Sequence, residues 1–455
     1  MKRIACIATA AALVFSLPSL AADSGGLESN LTPSGAEKAG NGAGTIPAWT
    51  GGHAAPAGWN PATGDRAASN PFKAEKPLFT INASNVDKYA DHLTPGQVLE
   101  LKQNPGYQMD VYATHRTCAV PDFVAANTAK NIGFAKIGSD GWSLAKAYLP
   151  GVPFPKPASG IEAVWNYLAY YQGAGLKADM TTYISPRTGS SDPIVVAGPV
   201  TTYIPTGVKG STTPDAVGDV YNSVWQGTTR PAALAGQGFI QTTYFGKPAD
   251  SYFYFVGQRR VRRMPAYDHD APLIGYDNQY LNDQVHVFNG NPDRYDWKIV
   301  GRKEVYVPYN AFGMYDEKSK LSAVMGEHSL IPAARRYELH RVLEVEGTVK
   351  SGTRNISPKR SLYLDEDSWI ALVSDQYDSS GKIWKVTEGF PIPVWELGAC
   401  AATAMQMYDV SSGRYLVDGT PFDTNKPFIW YADGKGGQFD MSFYTPDALQ
   451  SRSER

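Results

Sequence analysis

Arg259, Arg260, Arg262 and Arg263 are the densest concentration of chemistry in the chain. Guanidinium forks suit planar anions such as carboxylates and phosphates, so the group is a candidate anion anchor. It follows an aromatic run, Tyr252, Phe253, Tyr254 and Phe255. If Tyr252 to Arg263 is one strand, its side chains alternate between faces. Arg259 and Arg263 then point one way, and Arg260 and Arg262 the other. A nucleic-acid stripe would gather its charges on one face. The bland use of these arginines is cross-strand pairing with carboxylates such as Glu304, Glu344 or Glu346, and that use is the expectation.

The aromatics offer a second chemistry. Tyr252, Phe253, Tyr254, Phe255, Trp297, Tyr306, Tyr363, Trp369 and Trp384 are candidates to line a cavity for hydrophobic cargo. Apolar walls with a few polar anchors are the usual form of such sites. Alternation places Tyr252 and Tyr254 opposite Phe253 and Phe255, so only one pair can face a cavity. For each aromatic taken singly, ordinary core packing is the competing use.

Other constellations lead to weaker chemistry. Tyr267-Asp-His-Asp270, with Asp283 and His286 downstream, matches no established zinc or calcium spacing, and no metal is expected. Asp365-Glu-Asp367 reads as an exposed turn. Ser143-Leu-Ala-Lys146, Tyr276-Asp-Asn278 and Lys350-Ser-Gly352 occur in the order used by penicillin-binding serine acyltransferases. The context argues against that use. Ser143 would have to open a long helix, and Tyr148-Leu-Pro-Gly-Val-Pro-Phe-Pro155 breaks one within two turns. There is no G-x-S-x-G, H-E-x-x-H, C-x-x-C or P-loop. No catalytic residue and no cofactor are assigned.

The elements that must position these residues start from an exported chain. Lys2 and Arg3 precede an apolar run from Ile4 to Leu17, and Pro18-Ser-Leu-Ala21 offers a small-residue cleavage site. Residues 1–21 read as a signal peptide, cut after Ala21 or Ala22, and the expected compartment is the periplasm. The 42 Lys+Arg and 44 Asp+Glu nearly cancel, which argues against nucleic acid and generic anionic membranes. Cys118 and Cys400 are the cysteines left after cleavage. In an oxidising compartment one long-range disulfide between them is the expectation, and two buried thiols are the alternative.

Aromatics make up 12% of the chain and charged residues 19%, with 44 Gly and 32 Pro. This suits many strands joined by tight turns. Residues 22–70 read as an extended arm and 71–455 as a single β-rich domain. Helices are expected over Ala83–Asn104, capped by Ser84 and split at Thr94-Pro95, and over Asp122–Lys130 and Ile161–Tyr171. The runs Met180-Thr-Thr-Tyr183, Val200-Thr-Thr-Tyr203 and Gln241-Thr-Thr-Tyr244 suit neighbouring strands of a meander. Further strands are expected over 252–263, 297–307, 337–350, 361–377, 382–387 and 401–409. Asp378-Ser-Ser-Gly381 and Ser411-Ser-Gly413 read as hairpin turns. The tail suits a helix capped by Thr445 with Pro446 at its first position.

Several motifs carry a family resemblance. These are LTPSGAEKAGNGAGTIPAWTGG over Leu31–Gly52, Asn70-Pro-Phe-Lys-Ala-Glu-Lys-Pro-Leu-Phe-Thr-Ile81, Ile161-Glu-Ala-Val-Trp-Asn166, the Arg341–Lys350 strand, and Ser357-Pro-Lys-Arg-Ser-Leu-Tyr-Leu-Asp-Glu-Asp-Ser-Trp369. Together they resemble the exported proteins grouped as domain of unknown function 1329. The aromatic strand with its R-x-R-R ending also resembles the signature strand of outer-membrane lipoprotein-sorting proteins, the LolA/LolB-like group. The resemblance implies a mainly β fold with some α (α+β): a large curved antiparallel sheet, an incomplete barrel, with plugging helices. It also implies a periplasmic, non-enzymatic carrier or docking protein for lipid or lipoprotein-like cargo. Implied partners are a hydrophobic small molecule or lipid, an RND-type exporter and an outer-membrane protein. A structural accessory subunit without cargo is the alternative, and a serine acyltransferase of the penicillin-binding type a remote one. Fold alone does not fix function.

Overall fold

The computed structural model describes residues 27–265 and 267–454. The signal-peptide segment lies outside the described residues. Sixteen strands form one large sheet built from two antiparallel meanders. The first contains Gly175–Ile184, Ile194–Tyr203, Val220–Gly227, Gly238–Tyr244, Asp250–Phe255 and Arg260–Arg263. The second contains Tyr295–Pro308, Tyr337–Val349, Lys359–Asp365, Ala371–Tyr377, Ile383–Gly389, Met405–Asp409 and Arg414–Thr420. The last strand of the second meander pairs with the first strand of the first, with Leu416 opposite Ile184. Phe79–Asn82 and Gln108–Val111 extend the sheet beside Tyr337, through one parallel contact with Val111. Ile429–Tyr431 pairs with the start of Gly175–Ile184. Among the described strands the two ends of the sheet do not pair with each other, so the barrel is incomplete.

Burial separates the meanders. Ile194–Tyr203 alternates between buried and half-buried positions, the pattern of a sheet with one face on a core. Ala371–Tyr377 is buried at every position except Tyr377, and Met405–Asp409 throughout. Both faces of these inner strands of the second meander are therefore covered, while Tyr295–Pro308 keeps exposed positions. One face, carrying Leu362 and Leu364, packs against Val164, Trp165 and Leu168 of helix Gly160–Leu168. Gly160 docks that helix against a strand. A Cβ there would meet the Trp297 carbonyl carbon at 2.3 Å, so only glycine allows the approach. On the other face, Asp375 accepts hydrogen bonds from Gly96 N (3.0 Å) and Thr94 Oγ1 (3.1 Å) at the start of helix Pro95–Gln103.

Helix boundaries follow local chemistry. Thr94 and Gln97 form a capping box and Pro95 takes the first position, where its missing N–H costs nothing. The Ala83–Asn104 segment is split as expected, into a 3-10 stretch Val86–His92 and Pro95–Gln103. Ser84 is not its cap, because the Ser84 hydroxyl donates to Asn82 Oδ1 instead. Thr445 accepts from Ala448 N and caps Pro446–Ser453.

Two expectations are overturned. Tyr252–Arg263 is not one strand. Val256–Gln258 turns the chain, Arg259 adopts φ 48°, and Arg260–Arg263 folds back on Asp250–Phe255 as a hairpin. Asp365-Glu-Asp367 is not exposed, because the arm lies over it. Arg116 reaches both Asp367 oxygens (2.7 and 2.8 Å) and the Glu37 carbonyl. Trp369 Nε1 donates to Ser34 O (2.8 Å), and Glu37 N donates to Glu366 Oε1 (2.7 Å). Cys118 and Cys400 are disulfide-bonded, with Cα atoms 5.3 Å apart. The bond ties the segment after the arm to the short strand Ala399–Ala401.

Candidate functional site

The inner face of the first meander, the chain after helix Gly160–Leu168, and the connection between the meanders enclose a cavity of about 190 Å³. The three Thr-Thr-Tyr runs supply one wall: Met180 and Thr182, Val200 and Thr202, and Gln241. The spacing of two reflects alternation along a strand. Val224, Gln226 and Phe239 continue that wall, and Leu273, Tyr276, Tyr280, Val285 and Phe288 close the cavity from the connection. For scale, a dry cavity near 150 Å³ holds one benzene. A wider depression of about 720 Å³ beside His92 and Lys303 is an open surface feature.

The inner end is polar. Tyr280 Oη donates to Asp418 Oδ2 (2.8 Å), and the Thr182 hydroxyl donates to Asp418 Oδ1. Burial, reinforced by the Asp418 charge, pushes the Tyr280 phenol well up, and burial does the same to Tyr276. Both remain protonated; Tyr280 donates to Asp418, and Tyr276 accepts from Gln226 Nε2 at 3.5 Å. His286 lines the cavity and is exposed. The surrounding protein lowers its pKa against the opposing pull of Asp418. No Lys or Arg is among the described lining residues.

The connection is held over the cavity by its own bonds. Arg360 donates to Asp283 Oδ2 (2.6 Å), and both side chains are almost fully buried. Gln284 Nε2 donates to Gln376 Oε1 (2.8 Å), and Lys385 Nζ donates to Gln279 O (2.6 Å). The Tyr167 hydroxyl lies 2.5 Å from His286 O and 2.6 Å from Phe288 O. Between them, His286 (φ 53°) and Val287 (φ 77°) sit in the left-handed region, which is strained for a β-branched residue. The connection over the cavity is thus strained at Val287 and fastened by several bonds.

None of the nine aromatics singled out from the sequence is part of the lining. Alternation along Tyr252–Phe255 is present. Tyr252 and Tyr254 pack outward with Ile240 and Leu449 under the C-terminal helix. Phe253 lies on the cavity side, with its ring 4.8 Å from Phe239 and 5.8 Å from Phe255. Trp297 stands behind the cavity, 5.3 Å from Phe288. Tyr306 packs on Phe79, Tyr89 and His92. Tyr363 is in the core of the second meander, and Trp369 fastens the arm. Trp384 lies beside the Lys385 ammonium.

All four arginines are exposed. Arg263 pairs with Asp250 (2.7 Å). The expected pairing with Glu304, Glu344 or Glu346 does not occur. Glu344 takes Lys303, Glu346 takes Lys359, and Glu304 accepts from Asn41. The hairpin carries the arginines to the far edge of the sheet, away from those carboxylates.

The other constellations are occupied by neighbours. Ser143 precedes a short strand, Leu144–Lys146, and its hydroxyl donates to Asp140. The helical i, i+3 geometry of S-x-x-K is therefore absent at this position. Asp268 and Asp293 flank His269 at 3.5 Å, and Asp270 takes Arg294. His340, Asp365 and Asp367 come close enough to share an ion. Glu338, Tyr309 with Ser368, and Arg116 respectively already engage them.

The chain is similar to a family model over most of its length and to one relative over nearly all of it. The family model described as protein of unknown function (DUF1329) matches residues 80–450. An uncharacterized protein of Pseudomonas aeruginosa is 37% identical over 433 residues, covering 94% of this chain and 93% of that protein. Among solved structures, a Vibrio parahaemolyticus domain named for outer membrane lipoprotein sorting is 12% identical. The match covers 64% of this chain and 98% of that one, with a TM-score of 0.43. A DUF1329 family protein from Desulfovibrio piger is 14% identical over 61% of this chain and 92% of its own, with a TM-score of 0.38. A LolA superfamily protein from Nitrosomonas europaea is 11% identical over 64% of this chain and all of its own, with a TM-score of 0.37. The family match and the Pseudomonas relative together place the chain in the DUF1329 family.

Proposed function

We propose that this chain is a periplasmic, non-enzymatic carrier of hydrophobic cargo, lipid or lipoprotein-like. The observation that carries this reading is the closed cavity under the first meander. Its wall joins Val200, Val224, Phe239 and Leu273 to a few amides and hydroxyls, the usual composition of a small-molecule site. Moving a lipid through water requires hiding its apolar area, at about 25 cal/mol per Å². At about 190 Å³ the closed cavity takes a ring or the end of one chain. A larger cargo needs the connection to lift, as lids do in other binding proteins. An RND-type exporter and an outer-membrane protein are the partners proposed for loading and unloading.

Native mass spectrometry of the protein from its own periplasm, followed by organic extraction, tests the reading. The expected result is a bound lipid-like mass lost on extraction. A clean unliganded mass, together with no uptake of a fluorescent fatty probe, would overturn it in favour of an accessory subunit without cargo.

A further inference from the structure

The carrier reading leaves open which end of a cargo enters first and what head group it bears. The register of the hairpin answers both. Phe239 lines the cavity, Phe253 is opposite Phe239, and Arg262 is opposite Phe253. Arg260 is opposite Phe255. Directly opposite residues of antiparallel strands share a face. Arg260, Arg262, Phe253 and Phe255 therefore stand on the same side of the sheet as the cavity. Strands lie about 4.8 Å apart, so Arg262 is two strands, roughly 10 Å, from Phe239. The rings of Phe239, Phe253 and Phe255 form a continuous apolar path between them, with successive centroids 4.8 and 5.8 Å apart. Tyr267 of the connection covers it, edge-on to Phe239 and Phe253 at 5.7 and 5.5 Å, so the path opens when the connection lifts.

Charge decides the direction. Arg260 and Arg262 are exposed, and among the described residues neither forms an ion pair. Arg263, on the opposite face, pairs with Asp250. The inner end of the cavity holds Asp418 and neutral donors, with no cation among its described lining residues. An anion is repelled at the inner end and attracted at the rim.

We infer that the cargo is a single-chain anionic amphiphile, its carboxylate or phosphate held by Arg260 and Arg262 and its chain laid across Phe255 and Phe253 into the cavity. This rests on the carrier reading and adds the head group and the orientation to it.

The test is calorimetric titration of the full chain with four probes of one chain length: dodecanoate, dodecyl phosphate, dodecanol and dodecyltrimethylammonium. The proteins are the wild type, R260E/R262E and the cavity-filling V224W. Exposed ion pairs are individually weak, but reversing two arginines turns two attractions into two repulsions. The anionic probes should weaken about tenfold in R260E/R262E, while dodecanol stays unchanged. Added salt should weaken only the anions. V224W should lose all four probes. A larger loss for the phosphate than for the carboxylate identifies a phospholipid-type head, and the reverse a fatty-acid type; either supports the inference. Anion and alcohol binding equally well, and equally well in R260E/R262E, would overturn the head-group assignment while leaving the carrier intact. No probe binding to the wild type would overturn the carrier itself. Circular dichroism of R260E/R262E checks that these exposed changes leave the fold unaltered.

Discussion

The two meanders are built from similar strands and differ in what fills the space beside them. The first keeps a void, walled by aliphatic and aromatic side chains, amides and hydroxyls. The inner strands of the second are buried on both faces and carry charge inside. Glu100, Glu388, Arg335, Asp375, Arg360 and Lys385 are all 3% exposed or less. Glu388 accepts from Tyr107, Tyr337 and Gln97 at 2.7 to 3.1 Å, and the Arg335 guanidinium lies over the Tyr107 ring. Burial, reinforced by Glu388, pushes Glu100 well up, and burial pushes Lys385 down to about 8. Buried ionic layers tolerate little rearrangement, since moving one member strands another in low dielectric. The lesson is a division of labour: the second meander is a frame packed around buried charge, and the first encloses the cavity under a connection that Arg360 and Lys385 tie to that frame.

The sharpest way to break this comparison is at the fastener between the two parts. Arg360→Met leaves the Asp283 carboxylate buried without its cation and should cost about 3–5 kcal/mol in urea denaturation. A loss typical of a surface change would mean that this pair does not tie the connection to the frame. Next comes the Cys118–Cys400 bond. Replacing both cysteines with alanine should lower stability by about 2–5 kcal/mol, because the bond closes a very long loop in the unfolded chain.

A smaller effect comes from pH. Burial raises the Asp375 carboxyl to about 7, above its unfolded value of 3.8. The folded state then binds the extra proton, so the contribution of Asp375 to stability falls as pH rises from about 4 to 7. Between about pH 5 and pH 7 the change is on the order of 2 kcal/mol, and Asp375→Asn should flatten that part of the stability profile. The smallest effect belongs to the first meander. Val224→Trp should change thermal stability by about 1 kcal/mol or less, since it grows into a void instead of a packed core. A large destabilisation would show that the cavity wall is as tightly packed as the frame.

Much of the fold was legible because the strand signal is local. Thr-Thr-Tyr runs, hairpin turns and β-branched alternation marked the strands, and the Pro95 and Pro446 helix starts followed from backbone chemistry alone. The site was less legible. β-propensity does not say which face of a sheet is concave, so the aromatics beside the arginines drew attention while the cavity took others, Phe239, Tyr276, Tyr280 and Phe288 among them. The first and third positions of the Met180 and Val200 runs were the available signal. Tyr276, Tyr280 and His286 come from an aperiodic connection, where no period could assign a face. Asp365-Glu-Asp367 looked like a solvated turn because its partner, Arg116, is 251 residues away. The arginines were misplaced for a similar reason: one left-handed residue, Arg259, converts an apparent strand into a hairpin.

The disulfide has a consequence for how the molecule survives damage. Cys118 and Cys400 are 282 residues apart, and both meanders except the last two strands of the second lie between them. A protease that cuts once in the lid, or at any loop tip inside that span, severs the backbone but leaves one covalent body. The nicked protein would migrate as a single band without reductant and as two fragments with it. One cut in the connection between the meanders would leave the two parts of the chain covalently joined.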